Sequence, residues 1–155
     1  MIKMKKILFP TDFSEESQEA RKYALSFARD FKAHLYALHV VNEKIFTEGL
    51  NLPRVMSVDD LEKELMEEGR KRLRTLYPAE ELKDLEWEVA IRKGKPFLEI
   101  IRFAEEKDID LIIIGTHGRS GFEHIIFGST AEKVVRKAPC PVLSVRPSQR
   151  EFVMP

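Results

Sequence analysis

The stretch DLIIIGTHGRSGFEHIIFGST occupies residues 110–130 and decides how the rest of the chain is read. It opens on four consecutive apolar residues, Leu111 to Ile114. A run of that length bounded by glycine reads as a strand buried on both faces. It closes on Gly128-Ser129-Thr130, followed by a helical pattern that ends near Ala138, and Ser129 with Glu132 has capping-box spacing. Between the two lies a window with four of the chain's seven glycines, Gly115, Gly118, Gly121 and Gly128. Glycines there let a loop wrap closely around an anion, and a helix N-terminus offers N–H donors and about half a positive charge. Ser129 and Thr130 add hydroxyls and Arg119 a cation. On spacing alone, a loop followed by an ordinary capped helix remains the alternative.

Outward from that stretch, elements alternate. Ile7-Leu8-Phe9 is a short apolar run that stops at Pro10 and reads as the first strand. Asp12, Ser14 and Ser17 are N-cap residue types, and a 3.6-residue period of alanine and phenylalanine places a helix over about 15–32. His34 to Val41 is a second strand, apolar on both faces. Residues 42–56 lack a clean period and read as a long connection. Ser57 caps a helix over about 58–77, whose charge runs form a solvated face. Residues 85–91 alternate polar and apolar, which places that strand at a sheet edge. Pro96 starts a further helix. Pro141 to Val145 is the last strand, with proline at its start suited to an edge. The β-α-β-α-β-α-β-α-β order implies a single α/β domain over 1–147, a doubly wound parallel five-stranded sheet, and a tail over 148–155.

The bulk properties bound the function. The chain has 155 residues, about one domain's worth. Hydrophobic residues make up 43% and charged residues 34%, so it buries a core. Lys plus Arg and Asp plus Glu are each 26, a zero balance that argues against nucleic acid or an acidic membrane as partner. The single cysteine, Cys140, makes neither an internal disulfide nor a cysteine zinc site, and reads as structural. No apolar run approaches the roughly 20 residues of a membrane span, and the N-terminal apolar run is too short for a signal peptide. The expectation is a soluble cytoplasmic protein.

Known phosphate fingerprints do not fit. No Gly-Lys-Ser or Gly-Lys-Thr occurs, and the loop after the first strand has no glycine for a dinucleotide turn. In a doubly wound sheet, ligands bind beyond the carboxyl ends of the strands where strand order reverses. That draws attention to the loop Pro10–Phe13 and to the glycine window.

The spacing Gly115-x2-Gly118-x9-Gly128-Ser129 resembles the nucleotide motif G-x2-G-x9-G-[ST] of the ATP-binding branch of the universal stress protein family. KKILFPTDFSEES, LHVV, GKP, DLIIIGTHGRSG and APCPVLSVRP resemble that family's segments in the same order, so the likeness covers nearly the whole chain. The resemblance implies an adenine nucleotide α-hydrolase-like sheet of order 3-2-1-4-5. It implies ATP, AMP or ADP as ligand, with Mg²⁺ or Mn²⁺ bridging the phosphates. Asp12 matches the residue on the ribose or adenine edge, with Pro10, Thr11 and Phe13 completing that loop. Val40 matches the backbone contact to adenine, and Ile114 lies beneath the nucleotide. Gly115, His117, Gly118 and Arg119 match one half of the phosphate–ribose loop, and Gly128, Ser129 and Thr130 the other. The resemblance further implies a homodimer through edge strand 141–145. The readings are an ATP-binding stress-response module, a slow ATPase or nucleotidyl-transfer enzyme on the same site, and a nucleotide-independent dimeric interaction protein.

Overall fold

Ile7, Leu8 and Phe9 are inaccessible to solvent, which puts the first strand at the centre of the molecule. The computed structural model describes residues 1–48, 56–116 and 128–146. Its elements run β1 (Lys6–Pro10), α1 (Ser17–Phe31), β2 (His34–Asn42), α2 (Lys44–Thr47), α3 (Val58–Arg74), β3 (Trp87–Gly94), α4 (Pro96–Glu106), β4 (Leu111–Gly115), α5 (Ser129–Lys137) and β5 (Val142–Val145). All strand pairs are parallel, in the order β3-β2-β1-β4-β5. The order reverses between β1 and β4, as the sequence reading expected.

Two apolar layers cover the sheet, and the period of two decides which residue enters which. Ile7, Phe9, Leu35, Leu111 and Ile113 pack against Ala20, Ala24 and Ala28 of α1. Leu8, Tyr36, Leu38, Ile112 and Ile114 pack against Ile100 and Phe103 of α4 and Val134 of α5. The α1 alanines recur every fourth residue, so a smooth stripe lets the helix lie close on the sheet. β3 and β5 are the edges, as their mixed polarity and leading proline required. The Pro141 carbonyl accepts from Ile112 N–H just ahead of β5.

Four boundaries differ from the sequence reading. The connection after β2 holds a short helix, α2, begun by an Asn42 side chain that accepts from Lys44 N–H. The helix read over about 58–77 ends at Arg74. Residues 75–77 form a tight turn instead, because Pro78 biases Tyr77 away from helix. Leu85 sits in a turn ahead of β3, with Asp84 in a left-handed conformation (φ 64°). At α5 the cap is Gly128 rather than Ser129, and among the described residues no side chain caps the helix. Gly128 N–H is taken by the Thr116 carbonyl, 2.5 Å away, which starts the helix one residue early. The Ser57 cap on α3 is present as expected, accepting from Asp60 N–H.

Candidate functional site

At the carboxyl ends of β1, β2 and β4 the sheet opens into a crevice of about 660 Å³. Pro10 to Phe13 form one wall, and Gly115, Thr116 and Gly128 to Ala131 form the opposite one. The floor is apolar, with Leu38, Val40, Ile100 and Ile114. The expected residues Pro10, Thr11, Asp12, Phe13, Val40, Ile114, Gly115, Gly128, Ser129 and Thr130 therefore meet in one cavity. His117, Gly118 and Arg119, with Gly121, lie outside the described residues.

The β1 loop is built from its own side chains. Phe13 N–H donates to Thr11 Oγ1 (3.0 Å) and Ser14 N–H to Asp12 Oδ1 (3.0 Å). These are two successive side-chain turns of the kind that Thr and Asp form two residues ahead. Ser17 Oγ gives its proton to the Ser14 carbonyl (2.8 Å). The 3.1 Å contact between Thr11 Oγ1 and Ser17 Oγ therefore carries the proton of Thr11. His39 Nδ1 donates to the Thr11 carbonyl (2.8 Å), since a carbonyl only accepts. Thr11 is thus a buried organiser of the loop, and Asp12 turns the loop rather than capping α1.

Val40 owes its position to ladder arithmetic. His34 N–H bonds Lys5 and the Leu38 carbonyl accepts from Thr11 N–H, so even-numbered residues of β2 face β1. Leu35 and Glu43 instead donate to Glu86 and Gly94, so odd-numbered ones face β3. The main-chain N–H and C=O of Val40 consequently point to the β1 side, beyond the last β1–β2 bond among the described residues. A donor and an acceptor two covalent positions apart at a cavity edge match the edge of a heteroaromatic base.

On the opposite wall, the first helical bond of α5 runs from Glu132 N–H to the Gly128 carbonyl. The N–H groups of Ser129, Thr130 and Ala131 precede it and stand at the cavity without a side-chain cap among the described residues. The 2.5 Å bond from Gly128 N–H to the Thr116 carbonyl joins the two ends of the glycine window, and Thr116 N–H holds the Val145 carbonyl. Gly115 also lies close against α1. A Cβ there would stand 3.2 Å from the Glu16 carbonyl oxygen and 3.4 Å from Ser17 Cα, pressing on the start of α1.

α3 was absent from the expected site, yet it contributes Leu65, Glu68, Gly69 and Arg72 to the lining. The signal was a lone glycine inside a helical pattern. A Cβ on Gly69 would overlap Ile91 Cδ1 and come within 3.1 Å of His39 Cδ2, so glycine lets α3 close onto β2 and β3. Arg72 then reaches the ring of Phe13, 4.2 Å from its centroid, while His39 lies 4.5 Å from the same ring. Cys140 lies away from the crevice in the α4–α5 layer, and burial pushes its thiol pKa up, which disfavours a nucleophilic thiolate. Among the described residues, no group of three or more His, Cys, Asp or Glu side chains is placed to hold a metal, and no helix is long and apolar enough to cross a membrane.

Comparison with known proteins places this arrangement among relatives. The family model for the universal stress protein family matches residues 3–146. Universal stress protein MJ0531 of Methanocaldococcus jannaschii is 41% identical over 151 residues, covering 95% of this chain and 85% of its own length. Universal stress protein MJ0577 of the same organism is 34% identical over 155 residues. Its solved structure superposes with a TM-score of 0.81, over 96% of this chain and all of that one. Two more distant universal stress proteins, 19% and 24% identical, share the fold and were solved in complex with cAMP and with dAMP.

Proposed function

Because the chain belongs to the universal stress protein family, we propose that it is an ATP-binding stress-response module that holds the nucleotide between the β1 loop and the N-terminus of α5. The observation that carries this reading is the pairing of two chemically distinct ends in one crevice. Uncapped amides of α5 face a cavity whose other wall offers Asp12 and the open main chain of Val40. Phosphates suit the first end, because helix N–H groups and dipole favour an anion without fixed positive charge. Adenine and ribose suit the second, with Ile114 beneath. Such a cradle is compatible with a chain of zero net charge.

A divalent ion fits this site as a guest of the phosphates. The oxygen donors lining the crevice are hydroxyls and the carboxylates of Asp12 and Glu68, hard donors that match Mg²⁺ or Mn²⁺ in type and are too few to form a cage. When bound, the ion neutralises phosphate charge. Ser129 and Thr130 are the side chains that would stand beside it.

Isothermal titration calorimetry with ATP, ADP, AMP and GTP tests the proposal. ATP is expected to bind at millimolar dissociation constant or tighter, and more tightly than GTP, whose base has an acceptor oxygen at position 6 where adenine has the amino donor that the Val40 carbonyl would accept. Absence of binding, or equal affinity for ATP and GTP, would overturn it.

The partner in this reading is a second copy of the chain. Among the described residues β5 is a short edge strand with one side unpaired, a feature that proteins cover or blunt. A homodimer formed by pairing across residues 141–145 covers it. Sedimentation is expected to give twice 18.0 kDa, and a sole species at the monomer mass would contradict it.

A further inference from the structure

Arg72 lies on the exposed side of α3, and α3 holds none of the residues assigned above to the nucleotide. Among the described residues no carboxylate pairs with it. Its contact is the face of Phe13, 4.2 Å from guanidinium carbon to ring centroid. Phe13 in turn is one of the four non-glycine residues with positive φ among the described residues, at 62°. An aromatic residue adopts that region only against a steric cost, so something must hold it there. Three things do: the Thr11 Oγ1 bond to its N–H, the His39 ring at 4.5 Å, and the Arg72 guanidinium.

The backbone turn at Phe13 has a consequence one residue on. It presents Ser14 N–H to Asp12 Oδ1, and that bond fixes the carboxylate. If Phe13 relaxes to negative φ, Ser14 N–H swings away and Asp12 loses its orientation.

We propose that Arg72 is a positioning residue of the nucleotide site: by stacking on Phe13 it holds the left-handed turn that aims the Asp12 carboxylate at the ribose hydroxyls. The inference rests on the nucleotide reading given above. It adds a specificity device that spans two elements, with α3 setting how well the β1 loop reads the sugar. The contact is a cation over an aromatic face at a partly exposed site, so its effect on affinity is about fivefold. With Asp12 reading the sugar, the effect is expected in recognition of the ribose 2′- and 3′-hydroxyls.

The test is calorimetry of the full chain with ATP and with 2′,3′-dideoxy-ATP, which lacks the groups that Asp12 would bind. The native protein is expected to prefer ATP. Arg72→Met keeps the length and apolar stem but removes the charge and the planar face. It is expected to weaken ATP about fivefold, leave the dideoxy analogue unmoved, and keep the melting temperature within about 2 °C. Arg72→Lys is expected to restore part of the preference. In a Phe13→Gly background, where glycine takes positive φ without strain, Arg72→Met is expected to have no further effect. Equal weakening of both ligands by Arg72→Met, or no weakening, would overturn the inference while leaving nucleotide binding intact. Failure of the native protein to bind ATP would overturn the nucleotide reading, and this inference with it.

Discussion

Ser129→Pro is expected to raise the dissociation constant for ATP about ten- to a hundredfold while leaving the fold in place. Ser129 is the first residue of α5, and Gly128 before it is extended (φ −66°, ψ 150°). Proline is favoured at the first helical position, where the N–H it lacks has no helical partner, and it demands an extended residue before it. Gly128 already meets that demand, so the helix start is preserved. What disappears is one amide donor at the cavity, together with the Ser129 hydroxyl. A hydrogen bond to a charged group contributes about 1.5–3 kcal/mol, which is roughly one to two orders of magnitude in affinity. Ser129→Ala separates the two losses, since it removes the hydroxyl alone and is expected to cost less. Calorimetry on both variants, with thermal melts as the folding control, reads the result. Undiminished ATP binding by Ser129→Pro would show that the α5 amides do not hold the phosphates.

The largest expected effect on stability is at Phe103. Its side chain is 2% exposed on the inner face of α4. It meets Tyr36 edge-on, 5.7 Å between ring centroids at 68°, and the Arg92 guanidinium lies over its face at 5.1 Å. Arg92 is itself anchored to Glu106, whose carboxyl it holds below the usual range, so it is not free to follow a shrinking ring. Phe103→Ala loses the transfer free energy of the ring and leaves a cavity between α4 and β2. The cost is about 3–5 kcal/mol, a large share of the 5–15 kcal/mol typical of a domain. Urea unfolding is expected to show the midpoint falling with an unchanged slope. A loss below about 1 kcal/mol would mean that the α4 layer closes over the gap.

These two predictions stand on different parts of what could be read in the chain. The helix that carries Phe103 was legible from Pro96 because that signal is local, although Phe103 itself was not singled out as inward. The strands, their parallel arrangement and the edge positions of β3 and β5 were legible for the same reason, through apolar runs, alternation and a leading proline. At the site, Asp12, Gly128, Ser129 and Thr130 were legible because they lie just past strand ends in a fold whose ligands bind there, and because their spacing resembles a known family's.

The misreadings share one cause. Ser129 has the residue type and spacing of a cap, but the cap is Gly128, since its N–H bonds a carbonyl twelve residues earlier in the chain. Thr11 lines the crevice, and its hydroxyl also bonds Ser17 and Phe13 within the loop, a use that local pattern does not show. Gly115 lines the crevice, and its Cβ position is also claimed by the start of α1. Competition for one hydrogen-bonding group or one volume is decided by neighbours that arrive from elsewhere in the chain.

By itself, the sequence of this protein determined the class of fold, the order of its elements and the two loops between which a ligand would lie, because those follow from local periodicity and from the strand ends. Only the tertiary structure decided that α3 belongs to the site. Gly69 and Arg72 lie more than 50 residues from Asp12 and Phe13, and no local pattern relates them. They meet because a helix without a Cβ at one position settles onto β2 and β3 closely enough to bring a guanidinium over an aromatic ring.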